Sequence, residues 1–183
     1  MKLIKRDYLS KLINVMGTPD IKVITGVRRS GKSKLLESFI EYVKKEISDA
    51  NIISINFNDL KFVELKDYMK LNEYIEKKYK AGKHNFVCID EIQLCDKFEL
   101  TINSLHSSEK YDIYLTGSNA FLLSSDLATL FTGRVFEIKI YPFSFSEYMK
   151  YYELDDKEKA FVSYVLDGGM SGSYVYRWAA RQV

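Results

Sequence analysis

Ile21-Lys22-Val23-Ile24-Thr25-Gly26-Val27-Arg28-Arg29-Ser30-Gly31-Lys32-Ser33-Lys34-Leu35-Leu36 decides how this chain is read. Its first five residues are a β-branched run broken only by Lys22, which predicts a strand. From Lys32 onward, Leu35, Leu36, Phe39, Ile40, Val43 and Ile47 recur with helical period. Between the two, Gly26 to Ser33 satisfies G-x-x-x-x-G-K-[ST] at every fixed position. Gly26 and Gly31 permit a tight turn that aims successive N–H groups inward at phosphate oxygens. The helix that starts near Lys32 adds the positive end of its dipole. Gly26, Ser30, Gly31, Lys32, Ser33 and Lys34 are therefore the expected nucleotide-binding set. Lys32 would carry a point charge to the β- and γ-phosphates, and Ser33 an oxygen to Mg²⁺. Arg28 and Arg29 fill variable loop positions, either as extra charge beside the nucleotide or as solvent-facing residues.

The second informative stretch is Phe86-Val87-Cys88-Ile89-Asp90-Glu91. The apolar run predicts a strand buried on both faces. Adjacent carboxylates at its end make the Asp-Glu form of a Walker B strand. Asp90 is expected to hold Mg²⁺, and Glu91 to orient and deprotonate an attacking water. Thr116-Gly117-Ser118-Asn119 closes a further strand. Ligands on open parallel sheets gather at the carboxyl ends of strands. Ser118, with Thr116 and then Asn119 behind it, is the candidate to hydrogen-bond the water or the γ-phosphate. A helix N-cap is a competing and compatible use of the cluster. Arg134 is read either as an arginine finger, in cis or toward a neighbouring subunit, or as a surface ion-pair residue.

Around these motifs the chain alternates. Helices are expected over 3–16, 32–47, 67–79, 97–107, 121–131, 144–152 and 156–166, and strands over 21–25, 52–57, 86–89, 111–116 and 135–140, with 58–66 irregular. The alternation predicts an α/β fold, a mainly parallel five-stranded sheet with helices on both faces, in the three-layer manner of P-loop NTPases. No Asn-Lys-x-Asp guanine-reading motif is present, and Asp90 is not followed by x-x-Gly, which disfavours a GTPase.

With 183 residues, 46% hydrophobic and 28% charged, the chain has the composition of a folded domain rather than a disordered one. A formal net charge of +2 gives no overall pull on nucleic acid or anionic membrane. The basic stretch Lys77, Lys78, Lys80, Lys83 and His84 reads as a solvated helix end or a nucleic-acid contact. Cys88 and Cys95 read as reduced core residues, and neither they nor His84 and His106 have zinc-ligand spacing. The charged start Met1-Lys2-Leu3-Ile4-Lys5-Arg6-Asp7 lacks a secretory apolar stretch, and no run approaches the roughly 18 apolar residues of a membrane span. A cytoplasmic location is expected.

Four stretches together resemble the prokaryotic AAA-type ATPases: IKVITGVRRSGKSKLL, FVCIDEIQ, YLTGSNAFLLSSDLATLFTGRVFEIKIYPFSFSEY and YVLDGGM. They are most similar to the group whose ATPase module precedes a domain of unknown function called DUF4143. The resemblance runs from about Ile4 to Met170. It implies an ATPase of the additional-strand catalytic-glutamate class, a sheet in the order 5-1-4-3-2, and ATP with Mg²⁺ as cofactors. It divides the chain into an ATPase domain with its N-terminal helix over 1–153 and a short helical tail over 154–183. Ser171 stands where such members carry Pro, and the chain ends at Val183, so the C-terminal domain is expected to be cut short.

The expected activity is Mg²⁺-dependent ATP binding and hydrolysis. The alternatives are a nucleotide-dependent switch or DNA- or partner-binding module with little intrinsic turnover, and an inactive remnant. A protein partner or self-association through the ATPase face is expected. The sequence does not assign the adenine pocket; Arg6 and Tyr8 of the first helix lie just before the first strand, where a residue could flank the base, and neither is assigned to it.

Overall fold

A computed structural model of the chain describes residues 8–117, 131 and 133–170. The described elements are α1 (Tyr8–Asn14), β1 (Ile21–Gly26), α2 (Lys32–Glu46), β2 (Ala50–Asn56), a 3₁₀ helix (Leu60–Lys66), α3 (Tyr68–Lys77) and β3 (His84–Asp90). A single 3₁₀ turn (Ile92–Leu94), α4 (Phe98–Ser107), β4 (Asp112–Thr116), β5 (Val135–Ile140), α5 (Phe145–Tyr152) and α6 (Lys157–Asp167) follow.

The five strands form one parallel sheet in the order β2-β3-β4-β1-β5. Read from the other edge this is 5-1-4-3-2, as the resemblance implied. β1 and β4 are buried at every position because each has a strand on both sides and helices on both faces. Residues of β3 and β4 alternate between two cores with the period of a strand. Val87, Ile89, Ile113 and Leu115 face the core that α3 and α4 cover with Leu71, Ile75, Ile102 and Leu105. Phe86, Cys88 and Tyr114 face the other, covered by Leu12 of α1 and by Leu35, Leu36, Phe39 and Val43 of α2. There the Phe39 and Tyr114 rings lie 4.2 Å apart. A third, smaller cluster joins α5 and α6 around Phe143 and Tyr148, on either side of position 153.

Lys22 is the exception inside β1. It is wholly buried and donates to Asp112 Oδ1 at 2.7 Å and to the Thr18 carbonyl. Asp112 Oδ2 also accepts from the Gly17 amide and the Tyr114 hydroxyl. The two buried charges thus neutralise each other at the amino end of the sheet.

The main departure from expectation is 58–66. Instead of an irregular stretch, Leu60–Lys66 is a 3₁₀ helix opened by Asp59, whose side chain accepts from the Lys61 amide. Three residues per turn place Phe62 and Leu65 on one side, where both meet the α3–α4 core. A search for a 3.6-residue period passes over such a stretch. β2 starts at Ala50 and β3 at His84, two residues before each expected strand. The expected helix over 121–131 and the end of the tail lie outside the described residues, apart from Phe131.

Register brings the functional ends together. Ile140 of β5 is level with Gly26, Asn56 of β2 with Asp90, and Thr116 of β4 with Ile24, so the carboxyl ends of the strands share one edge.

Candidate active site

At that edge the chain leaves β1 through Gly26, whose φ is +151°. A Cβ there would stand 2.4 Å from the Ile140 carbonyl oxygen and 2.9 Å from Ser30 Oγ, so only glycine passes. The loop turns with Ser30 N–H donating to the Val27 carbonyl at 3.1 Å, and Gly31, at φ 99°, opens α2. Among the described residues no side chain caps this helix. Its first amides thus have no intrahelical partner and are open to an anion. Lys32 is buried and folds back across the loop, its Nζ donating to the Gly26 and Val27 carbonyls at 3.0 and 3.2 Å. Burial pulls its pKa below the ordinary lysine value, and the charges of Glu91 and Asp90 oppose that pull.

The acidic half of the site comes from β3. Asp90 is its last residue and is buried. Its Oδ1 accepts from Ser33 Oγ at 3.0 Å and from Thr116 Oγ1 at 2.5 Å. Burial raises the Asp90 carboxyl pKa, the two hydroxyl bonds lower it, and Glu91 and Glu37 add to the rise; the net direction is up. Ser33 and Asp90 are hard oxygen donors, and their juxtaposition fits Mg²⁺. That ion is usually held by one or two protein oxygens, with phosphates and waters completing its octahedron.

Glu91 has left-handed backbone, φ 58° and ψ 49°. Such a conformation costs a non-glycine residue about 1–3 kcal/mol and persists only where its surroundings enforce it. They do so here at both ends. The Glu91 amide donates to Thr116 Oγ1 at 3.1 Å, and its carbonyl accepts from the Leu94 amide at 3.0 Å. Its carboxylate Oε2 accepts from Gln93 Nε2.

Gly26, Ser30, Gly31, Lys32, Ser33, Asp90 and Glu91 are therefore brought to one place. Thr116, ranked behind Ser118 from sequence, is wholly buried and binds both acidic residues. Ser118 and Asn119 lie outside the described residues, as does Arg6. Arg28 and Arg29 are exposed on the loop, and Lys34 pairs with Glu37 on the outer face of α2. Tyr8 reaches the same edge, where its hydroxyl accepts from the Tyr141 amide one residue past Ile140.

Arg134 is not brought to the site of its own chain. Its carbonyl accepts from the Ile21 amide, at the amino end of β1. At about 3.3 Å per residue, that end is on the order of 16 Å from Gly26. Gln93 was missed by sequence reasoning. It stands in a single 3₁₀ turn too short to have a period; the signals that mark it are its place two residues after Glu91 and at the end of the resembling stretch FVCIDEIQ.

Comparison with known proteins gives the chain a family and a fold. The AAA domain family (AAA_14) matches residues 18–149. A Haemophilus influenzae protein, itself uncharacterised, is 40% identical over 157 residues, covering 85% of this chain and 39% of its own length. An uncharacterised Methanocaldococcus jannaschii protein is 33% identical over 158 residues, covering 86% of this chain and 34% of its own. The chain thus spans less than two fifths of the length of these curated relatives.

Among solved structures, AMPPCP-bound DnaA from Aquifex aeolicus has a TM-score of 0.64 at 18% identity, covering 97% of this chain and 59% of that one. Domain III of Thermotoga maritima DnaA has a TM-score of 0.59 at 20% identity, covering 97% of this chain and 88% of that one. These two likenesses show a common fold. From its matched residues and the loop, strand ends and sheet order that they build, the chain belongs to the AAA domain family of P-loop ATPases.

Proposed function

We propose that this chain binds ATP and hydrolyses it with Mg²⁺. The observation that carries the reading is the 3.0 Å contact between Ser33 Oγ and Asp90 Oδ1, beside a buried Lys32 that closes a glycine-built loop. The open amides at the start of α2 would receive the phosphates, and Lys32 would exchange loop carbonyls for phosphate oxygens. Ser33 and Asp90 would hold Mg²⁺, which, when bound, draws charge from the phosphate oxygens. Glu91 would take a proton from water as the water oxygen bonds to the γ-phosphorus and the β–γ bridging bond breaks, leaving ADP. Thr116 would keep Asp90 and Glu91 in fixed relation during that step, and Ser118 is proposed as a further contact to water or γ-phosphate.

On the same reading Arg134 acts only from a neighbouring subunit. On this reading residues 1–153 would be the ATPase domain and 154–183 a short helical tail, and the length of the relatives outside the matched stretch leaves room in them for a further domain such as DUF4143. No helix among the described residues is long and apolar enough to cross a membrane, and a cytoplasmic location is proposed.

The test is ATP binding and hydrolysis measured together, with and without Mg²⁺, for the wild type, Lys32→Ala and Glu91→Gln. Mg²⁺-dependent turnover is expected, with binding lost in Lys32→Ala and turnover alone lost in Glu91→Gln. A folded wild type that does not bind ATP would refute the reading.

A further inference from the structure

Gln93 follows the two acidic residues on the single turn Ile92–Leu94, and nothing in the loop or strand motifs requires an amide there. Its Nε2 donates to Glu91 Oε2. The direction of this bond is settled by chemistry, since a carboxylate accepts and does not donate. The amide must therefore present its nitrogen to Glu91, which turns Oε1 the other way. There Oε1 is buried and meets no hydrogen-bond partner among the described residues. A buried carbonyl without a donor is unfavourable. The side chain is thus kept in an orientation that satisfies Glu91 rather than itself.

Glu91 is held at three points: its amide on Thr116, its carbonyl on Leu94, and its carboxylate on Gln93. The first two fix a strained backbone, and only the third fixes the acid group. With Oε2 occupied, Oε1 is left to take the proton of an attacking water.

Resting on the ATPase reading above, we propose that Gln93 is a positioning residue for hydrolysis. It holds the Glu91 carboxylate by one oxygen and so sets the other against the water. Gln93 touches neither nucleotide nor metal in this role, so its effect falls on turnover and not on ATP affinity.

The experiment measures kcat by steady-state ATP hydrolysis and Kd with a fluorescent ATP analogue, on the full chain. The set is wild type, Gln93→Ala, Gln93→Met, Glu91→Gln and the double variant Glu91→Gln/Gln93→Ala, with thermal unfolding of each. Gln93→Met keeps the length and packing of the side chain and removes only its amide. Both Gln93 variants are expected to lower kcat on the order of tenfold with Kd unchanged, as for a misplaced catalytic group. The double variant is expected to be no slower than Glu91→Gln alone, because the amide acts only through that carboxylate.

Unchanged or raised kcat in a folded Gln93→Met, with Glu91→Gln inactive, would overturn the proposal and leave the ATPase reading intact. So would a double variant slower than Glu91→Gln by the full Gln93 effect. A wild type without Mg²⁺-dependent turnover would overturn both.

Discussion

The hydroxyl of Thr116 donates to Asp90 Oδ1 at 2.5 Å while accepting from the amide of Glu91 at 3.1 Å. One buried oxygen on β4 thus ties the expected metal ligand to the backbone of the expected base. Such a link requires Thr116 to be level with the end of β3, which the parallel register of β3 and β4 supplies.

Thr116→Val is nearly isosteric and removes both bonds, leaving the Glu91 amide unpaired. Loss of a buried partner costs about 1–3 kcal/mol. Urea unfolding is expected to show a loss in that range, and turnover is expected to fall with ATP affinity kept. Thr116→Ser, which retains the hydroxyl, is expected to recover most of both.

Asp90→Asn is expected to stabilise the nucleotide-free chain and abolish Mg²⁺-dependent turnover. Burial raises the Asp90 carboxyl pKa, so the folded chain binds its proton more tightly than the unfolded chain does. Its contribution to stability is therefore fully present below the unfolded carboxylate value and is lost as pH rises through the folded value. An asparagine carries no charge at any pH and still accepts from Ser33 and Thr116. Calorimetry at pH 7 is expected to show a midpoint higher by a few degrees, on the order of 2–6 °C. The gain is expected to vanish at acid pH, where Asp90 is itself neutral.

Lys22→Met is expected to be severely destabilising, by about 3–5 kcal/mol, because it removes the lysine charge from a buried Asp112 and leaves it the Gly17 amide, the Tyr114 hydroxyl and, at 3.5 Å, His84 Nε2. Adding Asp112→Asn removes that stranded charge. The double variant is expected to unfold at a higher urea concentration than Lys22→Met alone.

Arg134→Ala is expected to leave turnover unchanged at low protein concentration, since Arg134 lies at the amino end of β1 and the loop at the other. Hydrolysis assayed across a dilution series checks this. A loss at the lowest concentration would mean that the arginine reaches the site within its own chain.

Much of the fold was legible because its signals are local. The strand 21–25 shows its β-branched run and the helix from Lys32 its period directly, and Gly26 and Gly31 mark a turn that few sequences permit. The buried run 86–89 followed by Asp90 and Glu91 is equally local. The 3₁₀ helix Leu60–Lys66 was not legible, because its period of three is neither that of a helix nor that of a strand. The cluster Thr116–Asn119 offers several hydroxyl and amide candidates at one strand end, and sequence alone does not say which of them meets the acidic residues; in the structure Thr116 binds both of them, while Ser118 lies outside the described residues.

By itself the sequence determined the phosphate loop, the acidic strand end, and the alternation that makes a parallel sheet. These depend on residues within a few positions of one another, where backbone geometry and hydrophobic period act. Only the tertiary structure decided that Thr116 joins Asp90 to Glu91, that Gln93 holds the Glu91 carboxylate, and that Arg134 stands away from its own site. Those relations depend on strand register, on one turn's left-handed backbone, and on which end of a strand a residue occupies. Distances of this kind arise from the packing of β1, β3 and β4 side by side.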